Sequence, residues 1–354
     1  MLSNFAIYLT VVFIGCFAFS TIINFILLKF SQTLGVRGKD INQVRWSSSI
    51  KPSLGGISFF IIFLLVLVFI SISPIQIISK HVQLIGIFIS ITLAFLMGLA
   101  DDAFNTQPLI KLITQIICGL ILVLSGNGIL IFENVFLNIG LTIFWIVALM
   151  NSINMLDNMD GISTIITCVV CCLAIIISVR TGQTNSVLCV LNTSMLATLI
   201  GFLIFNFHPS KMFMGDTGSQ FLGLFLGITS INLFWNNEIN LNSINPIFLN
   251  GLLIVLVFCI PITDTLTVII NRIKQGKSPF VGGKDHTTHH LFYKGITEKR
   301  IFIIYLFITA IACVFAYQLI FHFNLPLLYF SIAYVLLVFV SLYLNTIIKK
   351  PESK

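Results

Sequence analysis

Charge is what this sequence has least of. Only 9% of its 354 residues are Asp, Glu, Lys or Arg, where a soluble domain carries about a quarter. With 57% of the chain hydrophobic, too little polar surface remains to coat a water-borne globule, and a soluble protein is excluded. Acids are scarcest, 12 against 19 Lys plus Arg, for a net charge of +7. That excess is too thin to line a nucleic-acid groove, so no nucleic-acid partner is expected and lipid is the expected surrounding. The eight cysteines all sit in apolar stretches. The CxxC spacing of Cys168, Cys171 and Cys172 therefore reads as helix packing rather than redox or metal chemistry. There is no short-period repeat, low-complexity linker or polar appended domain, and residues 1–354 read as a single integral-membrane domain.

What is abundant is apolar sequence in runs of bilayer length, about 20 residues each. The expected fold is an all-α polytopic membrane protein of eleven transmembrane helices, ten being the alternative count. The expected spans are 5–28, 54–73, 82–100, 109–125, 140–153, 161–179, 186–205, 218–235, 247–271, 301–321 and 326–347, with the fifth short. The first lacks an Ala-x-Ala-like cleavage site and exceeds a leader's core, so it reads as a retained helix. Alternating the loops puts Lys29, Arg37, Lys39, Arg45, Lys51, Lys111, Lys211, the run Arg272 to Arg300, and Lys349, Lys350 and Lys354 on one face. Only Lys80 and Arg180 fall opposite. Because Lys and Arg accumulate in cytoplasmic loops, the N-terminus is expected outside and the C-terminus inside. The cytoplasmic loops are then about 29–53, 101–108, 154–160, 206–217 and 272–300.

Most of the few acids lie on that same face. Asp101 and Asp102 end the third span as adjacent carboxylates at a membrane boundary. Joint ionisation there is unfavourable unless a cation or donor is near, although a helix-terminal polar cap would look the same. Lys111, just inside the next span, needs an anionic partner or must snorkel to the surface. The densest polar run is Asn151-Ser-Ile-Asn154-Met-Leu-Asp157-Asn158-Met-Asp160-Gly161. Spaced by three, Asn151, Asn154 and Asp157 share a face if the helix continues, and their hard oxygens suit Mg²⁺ or Mn²⁺ rather than zinc.

Further on, Asp216 and Thr217 in Met-Gly-Asp216-Thr217-Gly-Ser219 are placed to cap a helix, or Asp216 to hold a divalent cation while Lys211 attracts phosphate. The Gly-x-Gly-Asp pattern of intramembrane aspartyl proteases is broken by Phe213. The basic loop after span nine carries Asp285, His286, His289 and His290. Zinc is disfavoured for lack of His-Glu-x-x-His or a nearby Cys, and hydrogen bonds to phosphates or sugar hydroxyls suit the histidines better. Asp264, inside span nine, must face protein or water; whether it orients the loop or touches substrate stays open. His81, His208 and His322 read as solvated boundary residues.

Carboxylates, amides and cations at a membrane boundary fit an anionic substrate bridged to a metal, and phosphoryl transfer is the natural class. In order along the chain, Lys51-Pro-Ser-Leu-Gly55-Gly56, Asp101-Asp102, the Asn154 to Gly161 run, Phe213 to Ser219, and Ser278-Pro-Phe with His286-x-x-His289-His290 resemble the polyprenyl-phosphate N-acetylhexosamine-1-phosphate transferases (glycosyltransferase family 4). The resemblance implies transfer of a sugar 1-phosphate from a UDP-sugar to undecaprenyl phosphate at the cytoplasmic face of a bacterial inner membrane, releasing UMP, with Mg²⁺ as cofactor and Mn²⁺ as a substitute. By position it makes Asn154 and Asp216 the metal ligands. Asp101, Asp102, Asp157 and Lys111 become catalytic, and Lys51, Asn158, Asp160, His286, His289 and His290 substrate-binding. A homodimer is left open.

Three departures bear on substrate. His290 is followed by Leu291 rather than a longer His run and Phe-Glu, which disfavours a muramoyl-pentapeptide donor and favours UDP-GlcNAc. Ser49-Ile50-Lys51-Pro52 replaces a Pro-x-Pro start, and Asn158 stands where many relatives have Gly. The rival readings are a secondary transporter with an acidic cation site, whose acids would lie near the midplane, and an inactive scaffold.

Overall fold

The computed structural model describes residues 2–31, 51–72, 81–184, 186–238, 245–278 and 283–347. The expectations for Arg37, Lys39, Arg45, Ser49, Ile50, Lys80, Pro279 to Gly282 and the tail lysines lie outside the described residues. The fold is all-helical: α1 (Leu2–Lys29), α2 (Gly55–Ile72), α3 (His81–Phe104), α4 (Pro108–Leu124), α5 (Val135–Leu156), α6 (Ile162–Arg180), α7 (Val187–Asn206), α8 (Gly215–Ser230), α9 (Pro246–Val257), α10 (Cys259–Lys274), α11 (Thr287–Tyr293), α12 (Glu298–Phe321) and α13 (Leu325–Ile347). Eight described helices are long and apolar enough to cross a membrane, or nine spans if the bent pair α9 and α10 counts as one. The chain is a multi-pass helical membrane protein. Of the eleven expected spans, two fall short by length: α4 with 17 residues, and α8 with 16, which continues into the π-helix Ile231–Trp235.

Two expected spans need correction. The run 247–271 is not one helix but two, bent by 83° about Phe258. Pro261 has no N–H to offer the Val257 carbonyl, so the ladder breaks there and resumes when the Ile262 N–H reaches Phe258 O at 2.9 Å. The short fifth span is in fact the 22-residue α5. Asn151 and Asn154 belong to its last turns, because Asn and Ser at a membrane boundary can bond side chains on neighbouring helices instead of ending their own.

The bundle is built around α8, in which every residue from Thr217 to Ser230 is buried. Glycine makes this burial possible by letting backbones touch, the usual packing device where lipid offers no hydrophobic drive between helices. A Cβ on Gly98 of α3 would lie 2.4 Å from the Asp216 carbonyl oxygen, and one on Gly56 of α2 2.2 Å from the Gly218 nitrogen. On the third side, a Cβ on Gly223 would lie 2.5 Å from Met150 Cα of α5. At the periphery the pattern reverses. In α1 and α13 only 22% of the apolar window is buried, and Ile7, Phe25, Phe330 and Leu337 point outward, as lipid-facing residues do. The helices alternate in direction, so Lys29, Lys51, Lys111, Lys211, Arg272, Lys274 and Arg300 collect at the end that also carries Asp101, Asn154 and Asp216, while Arg180 sits at the other.

Candidate active site

The last turn of α3 sends its adjacent carboxylates in different directions. Asp102 reaches under α8: Oδ1 accepts from the Asp216 N–H (3.1 Å), and Oδ2 from the Thr217 N–H (2.8 Å) and hydroxyl (2.6 Å). A carboxylate from a neighbouring helix thus satisfies the exposed amides of α8 and complements its positive end. The expectation that Asp216 and Thr217 cap α8 themselves is corrected, since the N-cap is Met214 and makes no side-chain cap. Gly215 permits the approach, with φ +72° and a hypothetical Cβ only 2.5 Å from Asp102 Oδ2.

Asp101 faces the other way. Its Oδ1 accepts from the Thr106 N–H (2.9 Å) and hydroxyl (2.6 Å), and its Oδ2 lies 2.6 Å from Lys111 Nζ. The same ammonium is 2.5 Å from Asp216 Oδ2. Asp216 Oδ1 accepts from Asn154 Nδ2 at 3.0 Å, and that amide also donates to Ser219 Oγ at 2.8 Å. Lys111, costly in a span, therefore has two carboxylate partners within the protein. One ammonium facing Asp101 and Asp216, with Asp102 just behind, leaves negative charge uncompensated. A half-turn of the Asn154 amide would exchange Nδ2 for Oδ1 beside Asp216 and complete a hard-oxygen pair. The donor chemistry at Asn154 and Asp216 fits a hard divalent cation.

The shared face expected for Asn151, Asn154 and Asp157 does not form. Asn151 Nδ2 donates to Gln115 Oε1 at 2.7 Å, and Gln115 Nε2 donates to Gln220 Oε1 at 3.0 Å, a buried polar layer beneath Asp216. Asp157 closes α5 and accepts from Ser163 Oγ at 2.6 Å. Helical drift from a strict three-residue spacing, about 100° per residue, rotates these positions apart. Burial pushes the Asp157 carboxyl up to about 7, with the charges of Asp102 and Asp160 adding to the shift.

A second cluster forms where α6 begins. Asp160 accepts from the Ser210 N–H (2.9 Å), Ser210 hydroxyl (2.7 Å) and His208 Nδ1 (3.0 Å), with Lys51 Nζ at 3.7 Å. His208 also contacts Glu298. Three metal-capable atoms of Asp160, His208 and Glu298 approach within 4.8 Å, but Lys51 and Ser210 already supply positive charge and donors, so this is an ion-pair hub. The solvated reading of His208 is corrected. The residues His208, Ser210 and Glu298 had no local signal beyond lying in the same boundary loops. Lys51 is held over the Phe213 ring, 5.0 Å from its centroid. The segment around it is pinned by the Phe213 N–H to Pro52 O (3.0 Å) and the Gly55 N–H to Phe213 O (3.1 Å).

The third group is the loop before α12. Arg272 grips Asp285 bidentately, Nε to Oδ2 and Nη2 to Oδ1, both at 2.7 Å. Burial opposes ionisation of Asp285, yet this guanidinium holds its carboxyl below the usual range. His286 Nδ1 lies 2.8 Å from Asp264 Oδ2. Asp264 thus orients the loop from within α10. Burial, then the neighbouring His286, lowers His289 to about 3, leaving it neutral. Thr288 Oγ1 donates to Asn158 Oδ1 at 2.6 Å, joining this loop to the Asn158–Gly161 turn.

A family model described as "Glycosyl transferase family 4" matches residues 84–234. Over that stretch the chain is similar to this family. The match contains Asp101, Asp102, Lys111, Asn154, Asp157, Asn158, Asp160 and Asp216, whereas Lys51 and the three loop histidines lie outside it. Among relatives, a probable undecaprenyl-phosphate N-acetylglucosaminyl 1-phosphate transferase of Bacillus subtilis is 27% identical over 86% of this chain and 84% of its own length. A decaprenyl-phosphate N-acetylglucosaminephosphotransferase of Mycolicibacterium smegmatis is 29% identical over 61% of this chain and 58% of its own length. A phospho-N-acetylmuramoyl-pentapeptide-transferase of a Wolbachia species is 27% identical over 86% of this chain and 97% of its own length. These relatives differ in the names of their acceptors and sugars.

Proposed function

We propose that this chain transfers N-acetylglucosamine 1-phosphate from UDP-GlcNAc to undecaprenyl phosphate, initiating a cell-envelope polysaccharide in a bacterial inner membrane. The observation that carries this reading is the meeting of Lys111 with Asp101, Asp216 and Asn154 at one end of lipid-facing helices. The concentration of Lys and Arg at that end supports a cytoplasmic orientation, with α4, the α8 and π-helix run, and the bent α9–α10 pair completing eleven crossings. Relatives named for N-acetylglucosamine 1-phosphate transfer and the His290-Leu291 sequence favour this donor over a muramoyl pentapeptide.

Asn154 and Asp216 would hold Mg²⁺, or Mn²⁺ in its place, which when bound would supply positive charge against the diphosphate. Asp101 accepts or orients the proton of the lipid phosphate. An oxygen of that phosphate forms the new bond to the sugar-bearing phosphorus as its bond to UMP breaks, and UMP departs. Lys111 supplies a positive charge to the phosphates. Asp102 fixes the start of α8 and thereby Asp216. Asn158 and Asp160, with Lys51, address the nucleoside, and His286, His289 and His290 the diphosphate and sugar. Direct attack by the lipid phosphate is the preferred mechanism, and a covalent aspartyl intermediate the lesser option.

The test is the purified protein in lipid vesicles with undecaprenyl phosphate, Mg²⁺ and a panel of UDP-sugars. UMP and lipid-linked sugar should appear fastest with UDP-GlcNAc. Ion-coupled solute flux with no UMP from any donor would overturn the reading in favour of a carrier.

A further inference from the structure

Asp264 is a carboxylate in the middle of an apolar helix, 1% exposed, and the reaction scheme above gives it no task. All of its hydrogen bonds run to the first two residues of the histidine loop. Oδ2 meets His286 Nδ1 at 2.8 Å, and Oδ1 accepts from the Thr287 N–H at 2.8 Å and its hydroxyl at 2.5 Å. The Thr287 hydroxyl oxygen is in turn 2.8 Å from the fully buried Tyr305 OH of α12. Two turns along the same face of α10, Arg272 holds Asp285, the residue just before His286. One helix therefore fixes the loop at two consecutive residues through two carboxylate pairs of opposite sense, an acid on the helix in one and a base in the other.

For a merely structural clamp the imidazole is superfluous, since Thr287 alone would tether the loop through two bonds. A carboxylate against one ring nitrogen has a specific chemical effect: it retains the proton on that nitrogen, dictates which nitrogen the other face presents, and stabilises positive charge on the ring when a second proton arrives. His286 is 6% exposed; besides the capping-box approach of the His289 N–H to its side chain, the ring's hydrogen bond among the described residues is the one from Nδ1 to Asp264.

We infer that Asp264 is a positioning residue for His286: it keeps the proton on Nδ1 and so leaves Nε2 as a bare acceptor that takes a hydrogen bond from a hydroxyl of the sugar nucleotide. This rests on the transferase reading above. The charged and titratable groups around the pair are Arg272, Asp285, His289 and, through Thr287, Tyr305. Asp285 is neutralised by Arg272, so Asp264 is the carboxylate that sets the ring.

The test uses the full chain in nanodiscs with ¹⁵N-labelled histidine. In the wild type the His286 signal should show a protonated Nδ1. Asp264→Asn keeps the shape and an acceptor for Thr287, but its Nδ2 now donates to His286 Nδ1 and drives the proton to Nε2. The ¹⁵N signature should invert, and kcat should fall by about 10- to 100-fold, the scale of an outer partner that orients a functional histidine, with KM for the sugar nucleotide little changed. Adding His286→Ala to Asp264→Asn should cost almost nothing further. Thr287→Val removes the hydroxyl bonds alone and should leave the His286 signature in place. A wild-type ring carrying its proton on Nε2, or full kcat in Asp264→Asn, overturns the inference. Should Asp264→Asn fail to insert, the wild-type signature alone decides. Absence of turnover by the wild type with every UDP-sugar would instead sink the transferase reading, while the ¹⁵N signal still reports on the pair.

Discussion

The two polar centres at this end of the bundle use acids in opposite ways. At α10 and its loop the acids are matched one to one: Asp285 to Arg272, Asp264 to His286 and Thr287. At the meeting of α3, α4, α5 and α8, two carboxylates, Asp101 and Asp216, share a single ammonium, Lys111, while Asp102 is held by the amides that open α8. Acids matched in this way fix geometry and leave no carboxylate oxygen to attract a cation. Unbalanced ones hold a standing attraction for a cation, and close like charges persist only where something is meant to join them.

Predictions follow that contrast. The largest effect is expected at the unbalanced centre. Asp216→Ala should lower UMP release by on the order of 10³-fold, about 4 kcal/mol in transition-state terms, while the protein still inserts and its unfolding temperature barely moves. Substantial residual turnover would remove Asp216 from the metal site and weaken the contrast itself. At the hub around Asp160, Asp160→Ala should raise KM for the UDP-sugar by about 10- to 100-fold, the loss of a charged hydrogen-bonding group worth roughly 1.5–3 kcal/mol. Nucleotide affinity by titration calorimetry checks it, and an unchanged value would contradict the assignment.

A third expectation sharpens the role of packing. Gly98→Ala puts a Cβ where the Asp216 carbonyl oxygen now sits; it should cost about 1–3 kcal/mol of stability, as overpacking does, and depress Mg²⁺ affinity as Asp216 shifts. Denaturation in micelles and Mg²⁺ titration would read the two losses. The smallest effect is a slope. Asp157 ionises near 7 rather than its ordinary 3.8 because it is buried, so folding favours its protonated form. Stability should be greatest below 3.8 and fall as pH rises towards about 7. Asp157→Asn should flatten that fall, and an unchanged profile would show that another group causes it.

The sequence makes some of this arrangement legible and not the rest, for physical reasons. Asp101, Asn154 and Asp216 announce themselves because a carboxylate or amide at the edge of a long apolar run is expensive and needs a purpose. Their convergence follows from alternating helices. Asp102 shows equally well as an acid, but its task of capping α8 depends on a contact 114 residues away in sequence, which no local pattern records. His208 reads as a boundary residue because its partners arrive from elsewhere in the chain, Asp160 from the turn before α6 and Glu298 from the start of α12. The 83° bend hides in a continuous apolar run where a lone proline is compatible with either a kink or a straight span. Asp264 was visible as an anomaly, and only its neighbours reveal that it addresses the histidine loop.

The glycine contacts around α8 have a consequence for how the protein meets membranes of different thickness. With Gly98 and Gly56 seated against its first turn, α8 can neither slide along its neighbours nor roll, so the depth of Asp216 below the interface is set by the bundle alone. The 28-residue α1 spans about 42 Å at 1.5 Å per residue and is itself clasped to α7, where the Ser20 hydroxyl donates to Thr198 O at 2.6 Å and Gly201 lets the two backbones touch. A thicker or thinner bilayer must therefore deform to meet the bundle, and the distance a lipid headgroup must travel to reach the acids stays constant from one membrane to the next.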